Sequence, residues 1–399
     1  MTGVTIDKTI ISKEEINTST NTNYNLLNDT VSGTLTVQTA LSTASTLGNE
    51  LTISSGELSN SMNCVLSDDG TIVAISNNLH SLSNAGSGLI YVWEYLSESD
   101  SWVQMGSPIE GEVDDRLGGN ENNNGLSISA DGTRIAAVSA SGSRVWEYNG
   151  TNWIQLGSLL PGINTAVLSG DGLKVLVSGI GAYEVHVYEY NTTILNEWSQ
   201  IGATFTGFSY LGDNCAINQD GTIIGMSYDN SGYKTDIYEY NSGTGLWVQK
   251  GSTIDTGEYH GIRSMNASGN RIILAYSGKT ITASQQGQIL VYDFSVGWTL
   301  HSNIDGEASQ QLGGKHTILS NDGTKIFGSS MPYGKSIAIY EQNGSTWDRL
   351  GDVLNGTSLE SYKVTGMNRN MNIYVMQIDN DTTNISTTRA YTPAYSVTE

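Results

Sequence analysis

The only imidazoles in the 399-residue chain are His80, His186, His260, His301 and His316, and none of their spacings gives the His-Glu-x-x-His pattern of a zinc hydrolase. A Gly-x-Ser-x-Gly nucleophile elbow is absent, as is a glycine-rich phosphate loop leading from a strand into a helix. His186 and His316 fall within strand-like runs. Carboxylates are the remaining chemistry-bearing type. Glu110, Glu112, Asp114 and Asp115 crowd one long loop, Ser107 to Asn124, and Asp305 and Glu307 occupy the corresponding loop later in the chain. Hard oxygen donors at this density suit Ca²⁺, the one cofactor the sequence suggests, although a solvated acidic loop has the same composition. Glu112 and Glu307 are also where a carboxylate-dependent hydrolase would be sought. Asp-Gly steps such as Asp68-Asp69-Gly70 lack the alternating acids of a calcium loop and read as turns.

Tyrosine is the other informative type, at 21 residues. Its flat apolar face, polar tip and few torsions suit polar ligands and protein surfaces. Tyr183, Tyr228, Tyr233, Tyr276 and Tyr333 lie near one class of connection in the repeat described below, and Tyr210, Tyr259 and Tyr362 near a second. The site residues expected for ligand binding are Tyr183, Tyr210, Tyr228, Tyr233, Tyr259 and Tyr333. Tyr276 also reads as a core residue.

The elements that position these groups follow from a repeat. A tight-turn glycine recurs at Gly70, Gly132, Gly172, Gly221, Gly269 and Gly323, with Asn370 as a weaker seventh, 50 residues apart on average. Each unit holds four short runs. Run A ends in Ser67, Ser129, Ser169, Asn218, Asn266 or Ser320, and an Asp-Gly type hairpin leads to run B. Run C carries an aromatic-acid pair, as in Trp146-Glu147 or Tyr238-Glu239. Run D opens on Trp102, Trp153, Trp198, Trp247, Trp298 or Trp347, so the repeat accounts for all eight tryptophans. Packing between adjacent units explains this register better than ligand stacking does.

Four strands per unit and seven units predict an all-β, seven-bladed propeller of four-stranded antiparallel blades. In such a ring the B–C loops and the D–A links open on one face, which gathers the tyrosines there. The seventh unit has no run D after Tyr391. Counting back from Gly70 places a substitute at Glu50 to Gly56, an N-terminal strand expected to pair with the C-terminal blade and close the ring. The domain division is then 1–49, a Ser/Thr/Asn-rich arm, and 50–399, the propeller.

Composition narrows the partners. Eighteen basic against 40 acidic residues give a net charge of −22, which disfavours nucleic acid and anionic membrane surfaces. No apolar stretch is long enough to span a bilayer, and Met1 to Thr20 shows no signal-peptide pattern. Cys64 and Cys215 fall at equivalent positions three blades apart, so neither a disulfide framework nor a zinc site is expected.

The aromatic-acid-Tyr-turn-Trp hairpin resembles the kelch repeat, though without the Gly-Gly doublet that kelch units carry. The full unit, Ser-x-Asp-Gly-Thr followed by Val-Trp-Glu-Tyr-Asn-Gly and Trp-x-Gln-Leu-Gly at residues 129–157, is similar to tandem repeats of large algal DNA viruses and marine microbes. Ile109-Glu-Gly-Glu112 and Ile304-Asp-Gly-Glu307 fit it too. That resemblance implies a capsid-fibre-like protein at the virion surface, and the missing catalytic patterns make the expected protein non-enzymatic. Its propeller head would bind a glycan or host-surface partner, and residues 1–49 would dock on other virion or particle proteins. The alternatives are an extracellular, secreted lectin-like propeller and, less favoured, the carboxylate-dependent hydrolase.

Overall fold

In the computed structural model, residues 45–51, 62–79, 81–119, 125–180, 183–192, 196–314, 316–330, 336–355, 360–380 and 385–392 are described. They form seven antiparallel sheets arranged as the expected propeller. Blade one is Met62–Leu66, Ile72–Asn77, Leu89–Leu96 and Ser101–Gln104, and its order A-B-C-D recurs through blade six. Among the described residues no helix is long and apolar enough to cross a membrane.

Strand B of each blade is sandwiched between neighbouring blades, which is why runs such as Ile72–Asn77 are buried at every position. Strand D lies at the rim and is half polar, as in Trp153–Gln155, where only the tryptophan is buried. Each run-D indole reaches back to the preceding blade. Nε1 of Trp153, Trp198, Trp247 and Trp298 donates to the carbonyls of Met105, Leu156, Ile201 and Lys250 at 2.7–3.1 Å. A tyrosine or phenylalanine of strand C supports the ring from within the blade, as Tyr148 does for Trp153 with centroids 5.3 Å apart.

The A–B turns repeat one hydrogen-bond pattern. Ser129 Oγ donates to Asp131 Oδ1 at 2.6 Å and accepts from Arg134 N at 2.9 Å, while Asp131 Oδ1 accepts from Thr133 N at 3.0 Å. That is the physical content of Ser-x-Asp-Gly-Thr: the aspartate closes a turn. The turns are also linked around the ring, each N–H donating to the next turn's carbonyl from Asp68 through Ala130, Gly170, Gln219, Ala267 and Asn321 to Arg369. Asn368 Nδ2 returns to the Asp68 carbonyl at 2.8 Å and completes the circle.

Two expectations need correction. The closing strand is Ser45–Leu47, paired with Ala390–Thr392, and not Glu50 to Gly56. Leu47-Gly48 repeats the Leu156-Gly157 end of strand D: the Leu47 carbonyl accepts from Trp102 Nε1 at 2.8 Å, and Gly48 leaves room for that indole. The first strand thus lies on the arm side of the expected boundary at residue 50; Glu50 and Leu51 follow it without strand pairing, and residues 52–56 fall outside the described set. In blade seven Asn370 holds the aspartate position of the turn, and the left-handed residue is Met371, at φ +59°. Cys64 and Cys215 are both buried, each on the inner strand of its own blade.

Candidate functional site

The B–C loops and D–A links of blades three to five carry a continuous run of aromatic rings. Tyr183 meets Tyr210 at 5.5 Å between centroids, Tyr210 meets Tyr233 at 6.5 Å, Tyr233 contacts Tyr259, and Tyr259 meets Tyr276 at 5.9 Å. Tyr183, Tyr210 and Tyr259 are 39%, 44% and 46% exposed, so their rings form the outer surface of this ridge. Tyr183 and Tyr210 hold φ values of +59° and +56°. A bulky residue in that region costs about 1–3 kcal/mol, so the surrounding loops impose the conformation that turns each ring outward.

The structure separates the expected tyrosines by depth. Tyr228 and Tyr233 are buried, so neither offers a ring to solvent. Tyr233 is the floor on which Tyr210 and Tyr259 rest. Tyr228 donates its hydroxyl to Asp236 Oδ2 at 2.9 Å, and burial together with this carboxylate pushes its pKa up. Asp236 is fully occupied: it also accepts from Thr253 Oγ1 at 2.6 Å and Gln249 Nε2 at 3.0 Å. The Tyr228 ring stacks at 4.3 Å under Phe208, 37% exposed, and both line a cavity of about 200 Å³ between blades three and four. Phe208 was not anticipated from sequence; its place in the D–A link beside Tyr210 is the signal that could have found it. Tyr333 falls outside the described residues.

Below the ridge, Lys279 pairs with Glu258, and His260 Nε2 lies 3.2 Å from Gln288 Oε1. Burial holds the His260 pKa down, and its ring packs edge-on against Tyr276.

The acidic loop does not form the expected metal cage. Glu110 accepts from the backbone N–H of Leu82, Ser83 and Asn84 at 2.7–2.9 Å and from the Ser83 hydroxyl at 2.5 Å. Asp115 is tied to Arg144 at 2.6 Å, and Glu112 reaches the same guanidinium at 3.4 Å. Asp114 lies at φ +61° against Gly86 in the connection that packs on the 82–87 loop. Among the described residues no group of three or more His, Cys, Asp or Glu side chains is placed to hold a metal. Ser309 and Gln311 repeat the left-handed pattern of Asp114 and Arg116, so the links at Ile109 and Ile304 are one structural device that staples the preceding long B–C loop. Of the two glutamates a hydrolase would need, Glu112 faces Arg144 and Glu307 faces Arg349 at 2.5 Å.

Glu110 makes that stapling pH-dependent. Desolvation alone would raise its pKa, but the N–H and hydroxyl donors of residues 82–84 outweigh it and bring the value from 4.5 down to about 2. A depressed folded-state pKa contributes stability that is present above pH 4.5 and lost as the pH falls towards 2. Glu110→Gln therefore unfolds at a lower temperature than wild type at pH 7, and the gap closes near pH 2. Thermal unfolding from pH 7 to pH 2 checks this; a constant gap would show that Glu110 acts through packing alone.

No protein-family model matches the chain, and no curated protein matches it. Solved structures do. The β-propeller domain of Cps50 (Swd1) from Myceliophteria thermophila is similar over 86% of this chain and 99% of its own, with a TM-score of 0.54 and 10% identity. A putative 6-phosphogluconolactonase from Bacteroides uniformis has a TM-score of 0.52 at 13% identity, over 76% of this chain and 88% of its own. A protein from Lactobacillus plantarum has the same TM-score and identity over 82% and 96%. What they share with this chain is the propeller fold.

Proposed function

We propose that this propeller is a non-enzymatic recognition head that binds a glycan or host-surface protein through the Tyr183–Tyr210–Tyr259 ridge. The supporting observation is the ridge itself: exposed rings held outward by two strained backbone positions and seated on buried Tyr233. Exposed flat rings stack on the apolar faces of sugars and side chains, and the neighbouring cavity under Phe208 accepts a projecting group. Display on a virion or similar particle, anchored by the segment upstream of Ser45, rests on the repeat resemblance. A secreted lectin-like propeller would use the same ridge.

A glycan-array screen of the full chain tests the ridge, with Tyr183→Ala/Tyr210→Ala/Tyr259→Ala as the site variant. Leu246→Ala, at an exposed position on a rim strand, is the control. Wild type and control bind a selective set, and the triple variant loses on the order of 100-fold in affinity, as expected for removal of clustered aromatic hot spots. Equal binding by a folded triple variant, or no selective binding by wild type, rejects the reading.

A further inference from the structure

The inner strands converge on a central channel of about 200 Å³. Much of its wall is aliphatic, with Val65, Leu126, Ile128, Val167 and Ile217 among the lining residues. Two arginines, Arg263 and Arg369, enter this apolar space, and no carboxylate is among the described residues that line it. In a chain of net charge −22 that local excess of positive charge is unexpected.

Arg263 is there because of a bulge. Pairing in blade five passes from Ile262↔Leu274 directly to Ser264↔Ile273, so Arg263 is an inserted residue. Blade four runs through the same stretch, Cys215↔Met226 and Ala216↔Gly225, without an insertion. Bulges re-aim side chains. The Arg263 Nη1 donates to the neutral amide oxygen of Asn214 at 2.6 Å. Arg369, on the A–B turn of blade seven, reaches across to the carbonyl of Met265, two residues beyond Arg263. The Nε of each guanidinium is buried and has no hydrogen-bond partner among the described residues. Desolvation pushes both arginine pKa values down, the sign of charge held without full compensation. The carboxylate that acts on Arg369 is Asp68, which itself accepts from Asn321 Nδ2 at 2.6 Å and Gln219 Nε2 at 3.2 Å. Among the described residues, two guanidinium groups against that one carboxylate leave a single positive charge, which matches a monoanion better than a dianion.

We propose that the channel binds a small organic carboxylate, its oxygens meeting Arg263 and Arg369 and its carbon skeleton lying against the aliphatic wall. Guanidinium is the side chain best shaped for a carboxylate, and the aliphatic wall favours one with an apolar body over an inorganic oxyanion. This site is separate from the tyrosine ridge and stands whether or not the ridge binds a glycan.

Benzoate, neutral benzamide and inorganic phosphate are the probes, titrated calorimetrically into the full chain at pH 8. Benzoate binds saturably at one site, benzamide and phosphate bind at least tenfold more weakly, and Arg263→Gln weakens benzoate at least tenfold. Arg263→Lys, which keeps the charge but not the planar fork, retains intermediate affinity and serves as the readout if the glutamine variant does not fold. The proposal is overturned by an absence of saturable benzoate binding, by benzamide or phosphate binding as tightly as benzoate, or by unchanged affinity in a folded Arg263 variant.

Discussion

A chain beginning at residue 50 unfolds well below one beginning at residue 45, although only five residues separate them. Ser45–Leu47 is the outermost strand of the blade that joins the two ends of the sequence. Its removal exposes the edge at Ala390–Thr392 and takes away the Leu47 carbonyl that accepts from Trp102 Nε1. It also removes the Asn49 side chain that accepts from Trp102 N at 2.6 Å, and the Gly48 N–H donated to Asp100. Trp102 is buried, so its indole N–H is left without a partner, at about 1–3 kcal/mol, and each lost ladder bond adds about 0.5–1.5 kcal/mol. The sum is roughly 4–6 kcal/mol, a fall in Tm on the order of 10 °C. Differential scanning calorimetry of chains starting at residues 45 and 50 gives the answer: the second melts earlier. If both melt together, the closure does not depend on this strand.

That result bears on what the sequence can and cannot convey. The turn glycines and run-D tryptophans were legible because each is imposed by a local need: a left-handed backbone position, or an indole wedged between blades. Counting from Gly70 misplaces the closing strand because D–A links vary in length; Gly157 precedes Gly172 by 15 residues, whereas Gly48 precedes Gly70 by 22. The informative marker was chemical. Leu47-Gly48 repeats Leu156-Gly157, and the glycine is required because a Cβ at Gly48 would lie 2.8 Å from Trp102, much as one at Gly157 would lie 2.6 Å from Trp198. Met371 is illegible for the opposite reason, since a buried methionine in a left-handed turn breaks the preference of that position for glycine or asparagine.

The candidate sites divide in the same way. Topology places Tyr183, Tyr210, Tyr228, Tyr233 and Tyr259 on one face, and that much follows from strand order. Depth does not: Tyr228, one residue before the end of its strand, and Tyr233, at the start of the next, are buried, while Tyr183 and Tyr210 lie in left-handed positions and are exposed. In the sequence Arg263 is only an arginine inside an inner strand, Gly261–Met265, at a register where blades one to four place Cys64, Leu126, Ala166 and Cys215. The bulge that delivers it to the channel depends on pairing with strand B, and a single strand's pattern does not encode that.

The acidic loop carries the other large effect. Asp115→Ala costs about 3–5 kcal/mol, because it strands a buried charge rather than emptying a metal site. The side chains of Asp115 and Arg144 are 4% and 8% exposed and meet at 2.6 Å. Ser141 Oγ and Glu112 N add donors to the carboxylate at 2.6 and 3.1 Å. Glu112, 81% exposed and 3.4 Å from the guanidinium, is too well solvated to take over. Arg144→Met alone strands the carboxylate, whereas Asp115→Ala with Arg144→Met removes both charges, so the double variant is more stable than the sum of the single losses implies. Desolvation would raise the Asp115 pKa, but Ser141, the Glu112 N–H and Arg144 bring it below 3.8. Its contribution is therefore complete above that pH and disappears as the pH falls further, so the cost of Asp115→Ala shrinks in acid. Urea unfolding of the four chains at pH 7 and pH 3, with and without millimolar Ca²⁺, separates the two accounts of this loop. Coupling between residues 115 and 144 that is unmoved by Ca²⁺ identifies an internal ion pair fastening the link between blades one and two. A Ca²⁺-dependent gain in wild type that Asp115→Ala abolishes would instead restore the metal.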